Sequence, residues 1–132
     1  MYDRILVPLK GDNTDEAIVA HVGALARLSG GKVTLLRVIH SHSRDEAAFS
    51  EEQARTYLNG QVARLATQGV TAEVNVVAGE PAASIAVVAR ELAADLIVMA
   101  THGHREVRHV LMGSVTEDVV RSSTTPVLLV RP

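Results

Sequence analysis

The stretch Leu96-Ile97-Val98-Met99-Ala100, followed by Thr101-His102-Gly103-His104-Arg105-Glu106-Val107-Arg108-His109-Val110-Leu111-Met112-Gly113-Ser114, decides how this chain is read. Five apolar residues bounded by polar ones predict a short buried strand. Ser114-Val115-Thr116-Glu117 has the pattern of a capping box and predicts a helix start. Between them lie thirteen residues, Thr101 to Gly113. Strand-to-helix connections ordinarily take about two to six residues, so this one needs a reason. It is basic, it is bracketed by glycines, and it opens onto a helix N-terminus. Unpaired N–H groups and the positive end of the helix dipole make such a place suited to an anion, above all a phosphate.

Outward from this stretch, strand and helix signals alternate along the whole chain. Ile5 to Leu9 is an apolar run and predicts the first strand. Asn13 or Thr14 is placed to cap the next helix, with Asp15-Glu16 in its first turn. Ile18, Val22, Leu25 and Leu28 follow at helical spacing, and Gly30-Gly31 stops the helix. Lys32 to Ile39 predicts a second strand. A helix is expected from about Arg44 to Gln68 with Ala54, Leu58, Val62 and Leu65 on its apolar face. Val70 to Val77 is rich in β-branched residues and predicts the third strand. Gly79-Glu80-Pro81 reads as a turn into a helix whose buried stripe is Ile85, Val88, Ala89 and Leu92, with Pro81 tolerated in the first turn. Leu96 to Ala100 is the fourth strand. The last helix runs from Ser114 to about Ser122, and Pro126 precedes a fifth strand, Val127 to Val130.

This alternation predicts a single α/β domain over residues 1–132, a five-stranded parallel sheet with helices on both faces, flavodoxin-like in general architecture. Such sheets bind ligands at the C-terminal ends of strands, where the strand order reverses. Strands one and four are the expected neighbours of that crevice. The long basic loop leaves strand four at the same end.

Composition narrows the function. Hydrophobic residues make up 47% of the 132 and charged residues 21%, which predicts a packed globular core. With one Phe, two Tyr and no Trp, that core rests on Val, Leu, Ile and Ala. The same scarcity argues against single-stranded nucleic-acid binding, which depends on aromatic stacking. The net charge of −2 argues against a general electrostatic footprint for DNA or RNA. Without cysteine, disulfides, thiolate metal sites and thiol catalysis are excluded. No apolar run approaches membrane-spanning length and the opening residues have no signal-peptide pattern, so a soluble, cytoplasmic protein without membrane contact is expected.

Other patterns carry less. His40-x-His42, His102-x-His104 and His109 invite a metal, but no carboxylate or thiolate completes a ligand pattern, and no metal site is expected. Ser29-Gly30-Gly31-Lys32 has Ala26 where a phosphate-binding loop would have its first Gly, and it runs from helix to strand, so it reads as a helix terminator. Asp15-Glu16 and Glu51-Glu52 read as solvated helix faces. No G-x-S-x-G elbow and no Ser-His-Asp spacing is evident, so no catalytic residue is assigned.

The residues resemble the universal stress protein family, in the branch that carries an ATP-binding motif G-x2-G-x9-G-[ST]. Gly103 is the second glycine, and nine residues, His104 to Met112, separate it from Gly113-Ser114. Met99-Ala100-Thr101-His102-Gly103 is similar to the family's Met-[Gly/Ala]-[Thr/Ser]-His-Gly. Arg4-Ile5-Leu6-Val7-Pro8 resembles its first strand, Val77-Ala78-Gly79-Glu80-Pro81 its Gly-x-Pro turn, and Thr125-Pro126-Val127-Leu128-Leu129-Val130 its ending. The resemblance covers the whole chain in order. It implies the adenine nucleotide alpha hydrolase-like variant of the doubly wound fold and a nucleotide-binding regulatory protein of stress responses.

Further implications of the resemblance are specific. ATP, with Mg2+ or Mn2+ on its phosphates, would lie between strands one and four. Pro8, Leu9 and Lys10 would sit beside the adenosine, and the backbone of Val38 against adenine. Met99, Ala100 and Gly103 would line the site; Gly113, Ser114, Val115 and Thr116 would hold the phosphates, with Ser114 and Thr116 adding hydroxyl donors. The resemblance also implies a homodimer through Val127–Val130, an edge strand that only Arg131-Pro132 would otherwise blunt, and a regulatory protein partner. Two positions depart from the pattern. Ala100 stands for the motif's first Gly. Lys10 stands where ATP-binding members carry Asp, and lysine has donors and no acceptor. It is expected to reach a phosphate or to pair with Asp12. The alternative reading is a dimeric interaction module of the same fold that binds no nucleotide.

Overall fold

The computed structural model describes residues 1–40, 44–101 and 114–132, the side chains of 44–47 and 114 excepted. Its elements alternate as expected: β1 (Arg4–Pro8), α1 (Asp15–Ser29), β2 (Lys32–Ile39), α2 (Arg44–Ala66), β3 (Ala72–Ala78), α3 (Pro81–Glu91), β4 (Leu96–Ala100), α4 (Ser114–Ser122) and β5 (Val127–Val130). All five strands are parallel, in the order β3-β2-β1-β4-β5. The chain begins in the middle, winds outward through β2 to β3, then crosses to the other side of β1. The reversal of direction falls between β1 and β4, and a crevice opens there above their C-terminal ends.

Helices cover both faces, so the central strands are apolar on both. Ile5 and Val7 of β1 face one core, with Ile18 and Val22 of α1 and Leu58 and Leu65 of α2. Leu6 faces the other, with Ile85 and Val88 of α3 and Val119 of α4. β4 alternates likewise: Leu96, Val98 and Ala100 belong to the first core, Ile97 and Met99 to the second.

Three local expectations change. Leu28 does not join the buried face of α1 and is 88% exposed; Val19 and Ala26 are buried instead. β3 begins at Ala72, and Val70 is buried just before it. Thr14 takes the N-cap position of α1 without a capping hydrogen bond from its side chain. Asp12 organises this turn, its carboxylate accepting from the Thr14 N–H and hydroxyl. The far end of α1 follows the sequence: Gly30, with φ of 74°, adopts the left-handed conformation and donates its N–H to the Ala26 carbonyl at 2.8 Å.

Candidate functional site

β1 delivers its last residues to the crevice. Beyond Pro8, the Leu9 N–H donates to the Leu36 carbonyl at 2.8 Å, and the chain then leaves the sheet. The next two N–H groups, of Lys10 and Gly11, donate to the Asp15 carboxylate at 3.1 and 2.8 Å. The Tyr57 hydroxyl on α2 donates to the same carboxylate at 2.6 Å. Asp15 is 1% exposed, which overturns its reading as part of a solvated face. A buried carboxylate is tolerated only when hydrogen-bonded, and here three donors from two parts of the chain, the β1–α1 turn and α2, converge on it. Burial, and after it the bond to Asp15, raises the Tyr57 hydroxyl above its ordinary pKa.

β2 runs past the end of β1. Leu36 is the last residue paired with β1, and the Ile39 carbonyl accepts from Gly79 at the end of β3. Backbone polar groups alternate sides along a strand. Val38 therefore turns its N–H and C=O toward the place β1 has vacated, into the crevice. Arg37 donates from Nη1 to that Val38 carbonyl at 3.3 Å.

β4 forms the opposite wall. Thr101 leaves it with its N–H bonded to the Val130 carbonyl at 2.9 Å. The Thr116 hydroxyl, 1% exposed, donates to the Ala100 carbonyl at 3.3 Å. This corrects its expected role: the hydroxyl ties α4 to β4, and what Thr116 turns to the N-terminus of α4 is its backbone N–H. The first-turn N–H groups of a helix have no intrahelical partner.

These segments enclose a cavity of about 220 Å³. Pro8, Leu9, Lys10 and Val38 line it from one side, Met99, Ala100, Val115 and Thr116 from the other. Eight of the expected site residues thus meet at one place. Gly103, Gly113 and the Ser114 side chain lie outside the described residues, as do Arg105, Arg108, His42, His102, His104 and His109. Sequence reasoning missed Arg37, Ile18, Pro81 and Ile85, which complete the lining. The signal for Arg37 was an arginine inside an otherwise apolar strand end, Leu35-Leu36-Arg37-Val38-Ile39. A second cavity, of about 330 Å³, shares Arg37 and extends toward α2 past Gly11, Ser50, Gln53 and Tyr57.

The charges around the crevice are partly arranged. Lys10 is exposed and, contrary to one expectation, no ion pair joins it to Asp12 within 4.0 Å. The Thr14 hydroxyl holds the Asp12 carboxyl below its ordinary pKa against the opposing effect of burial; the Thr14 N–H, Lys10 and Arg37 add to the lowering. Among the described residues no three His, Cys, Asp or Glu side chains are grouped to hold a metal ion. No helix among them is long and apolar enough to cross a membrane.

The molecule is thus a doubly wound α/β protein with a lined crevice at its switch point, one wall of which leads to a helix N-terminus. It belongs to the universal stress protein family, whose profile matches residues 1–131. Universal stress protein MJ0577 of Methanocaldococcus jannaschii is 28% identical over 155 aligned positions, covering 99% of this chain and 96% of its own. Universal stress protein YxiE of Bacillus subtilis is 31% identical, covering 95% of this chain and 85% of its own. The solved structure of MJ0577 superposes with a TM-score of 0.82 at 31% identity, over 100% of this chain and 97% of that one. A universal stress protein solved in complex with cAMP superposes with a TM-score of 0.79 at 25% identity, over 98% of this chain and 97% of its own.

Proposed function

We propose that this protein is a nucleotide-binding regulatory module that takes an adenine nucleotide, ATP foremost, into the crevice between β1 and β4. One observation carries the reading: a switch-point cavity lined by the backbone edge of Val38, whose carbonyl also accepts from Arg37, and by Val115 and Thr116 in the first turn of α4. The backbone of Val38 offers a donor and an acceptor side by side, the pair that the edge of adenine requires. Pro8, Leu9, Met99 and Ala100 give the base and sugar apolar walls. At about 220 Å³ the cavity is smaller than the ~300–1,000 Å³ usual for ligand pockets. It suits the nucleoside end, with phosphates carried over Gly113, Ser114, Val115 and Thr116 by backbone N–H groups. Gly103 belongs to the same loop. Mg2+ or Mn2+ would arrive on the phosphates, since the described carboxylates and imidazoles form no cage for it. A similar universal stress protein was solved in complex with cAMP, which supports an adenine nucleotide as the class of ligand.

In this reading the module acts in the cytoplasm as a homodimer through β5 and signals to a protein partner. Thr101, the first residue of the loop, is hydrogen-bonded to Val130 of β5. A ligand that positions the loop therefore also bears on the dimer edge. Calorimetric titration with Mg-ATP tests the proposal, together with the nucleotide content of the freshly purified protein. Heat of binding, or adenine absorbance in the extract, is expected; silence at millimolar nucleotide overturns it.

Lys10 favours a second reading, a dimeric interaction module without nucleotide, because it brings no acceptor to the sugar. That reading expects partner binding to be unchanged when Gly113 is replaced by leucine. The nucleotide reading expects Gly113→Leu to abolish ATP binding.

A further inference from the structure

Two cations line the crevice on the side away from α4, Lys10 at the end of β1 and Arg37 on β2. Among the described residues neither makes an ion pair within 4.0 Å. Of the five N–H donors of Arg37, one is engaged in a hydrogen bond there, with the Val38 carbonyl. No carboxylate stands among the described lining residues. Asp15 is buried behind the wall with three donors on it, and Asp12 is bound to Thr14. Asp12 feels both cations and offsets part of their charge, but it does not occupy the space they face.

The order of groups along the rim assigns that space. In sheet order it runs from β2, where the Arg37 guanidinium is bonded to the Val38 carbonyl, through Lys10 just past β1, to the N-terminus of α4 after β4. With the base at Val38 and the 5′-phosphates at α4, the cations fall at the sugar. In nucleotide crevices a carboxylate at the sugar accepts from free ribose hydroxyls, whereas an arginine accommodates a ribose phosphate. A guanidinium grips such a group with paired hydrogen bonds, and an ammonium adds a point charge. Beyond Arg37 the second cavity, of about 330 Å³, provides room for a substituent pointing toward α2.

From this we infer that the site selects adenine nucleotides carrying a phosphate on the 2′ or 3′ oxygen of the ribose, clamped by Lys10 and Arg37. The inference rests on the nucleotide reading above and names its ligand class. Adenosine 3′,5′-bisphosphate and adenosine 2′,5′-bisphosphate each carry two phosphates, as ADP does, so comparison with ADP isolates phosphate placement from phosphate number. Titration of the full chain is expected to give at least one bisphosphate an affinity about tenfold above ADP, the effect of a charge-assisted pair. In Arg37→Gln and in Lys10→Gln, each checked for folding by circular dichroism, that ratio is expected to fall toward one. ADP binding with no preference for either bisphosphate overturns the inference and leaves the nucleotide reading standing. Binding of none of the three overturns the inference, and silence with Mg-ATP as well overturns the nucleotide reading beneath it. A preference that survives in both variants overturns the assignment to these side chains.

Discussion

The carboxylate of Asp15 gathers donors from the β1–α1 turn and from α2, so a single side chain fixes where Lys10 stands relative to Tyr57. Asp15→Ala strands two backbone N–H groups and a hydroxyl, and unsatisfied buried groups cost about 1–3 kcal/mol each. With some of that recovered by water, a loss of roughly 3 kcal/mol is expected, measured by urea unfolding. Tyr57→Phe removes one hydrogen bond to a charged group and is expected to cost about 1.5 kcal/mol. The pair also sets a pH dependence. The folded-state pKa of Tyr57 lies above its unfolded value of 10.0, so its stabilisation is complete below about pH 10 and is lost as pH rises beyond it. The stability gap between wild type and Tyr57→Phe should therefore hold up to about pH 10 and narrow above it. An unchanged gap would contradict the hydrogen bond. Sequence alone made Asp15 a first-turn helix acid, a sufficient local reason for a carboxylate there. Its partner lies 42 residues away, and no local pattern reports a contact of that separation.

At the scale of the element, the entry into α3 was legible because its chemistry is local. Gly79 has φ of 151°, and a Cβ there would come within 2.7 Å of the Ser84 hydroxyl oxygen. Glu80 is the N-cap, its carboxylate accepting from the N–H groups of Ala82 and Ala83, and Pro81 takes N1, where no N–H is needed. Glu80→Ala is expected to cost about 1 kcal/mol, as loss of a helix cap does, and Gly79→Ala to destabilise as well through its backbone conformation. Thermal unfolding of the two variants checks this order of effects against wild type. The succession of elements was legible for a related reason, since Gly, Pro and cap residues punctuate them; of the strand order, the sequence supplied the neighbourhood of β1 and β4 and the edge position of β5. The beginning of β3 was not. Val70 is β-branched and buried like a strand residue, yet its N–H closes the end of α2 by donating to Leu65 at 3.0 Å. Leu28 is exposed because the helical turn carries it to the side of α1 opposite Val19, Val22 and Ala26, which form the buried face.

For the molecule as a whole, the sheet leaves two edges, and β5 is the more apolar. Its backbone shows which groups remain open. The Pro126 and Val130 carbonyls accept from Ile97 of β4 and from Thr101 just beyond it. By alternation, Val127 and Leu129 turn their N–H and C=O groups away from β4, toward solvent or toward a second copy. An open apolar edge is an aggregation hazard unless something pairs with it, and a two-fold partner running antiparallel would pair with these groups. Wild-type protein is therefore expected to sediment at twice the 14.1 kDa chain mass. Leu129→Pro removes an outward N–H while leaving the β4 ladder its donors, a position where a strand tolerates proline. It is expected to give a folded monomer. Leu129 also packs against the core beneath α3 and α4, so the loss of its side chain needs separating from the loss of its N–H. Leu129→Ala serves that purpose, because it trims the packing and keeps the donor. If the backbone edge makes the dimer, the alanine variant stays dimeric and the proline variant does not. A monomeric wild type at micromolar concentration, or dissociation of both variants alike, would remove β5 pairing as the basis of assembly.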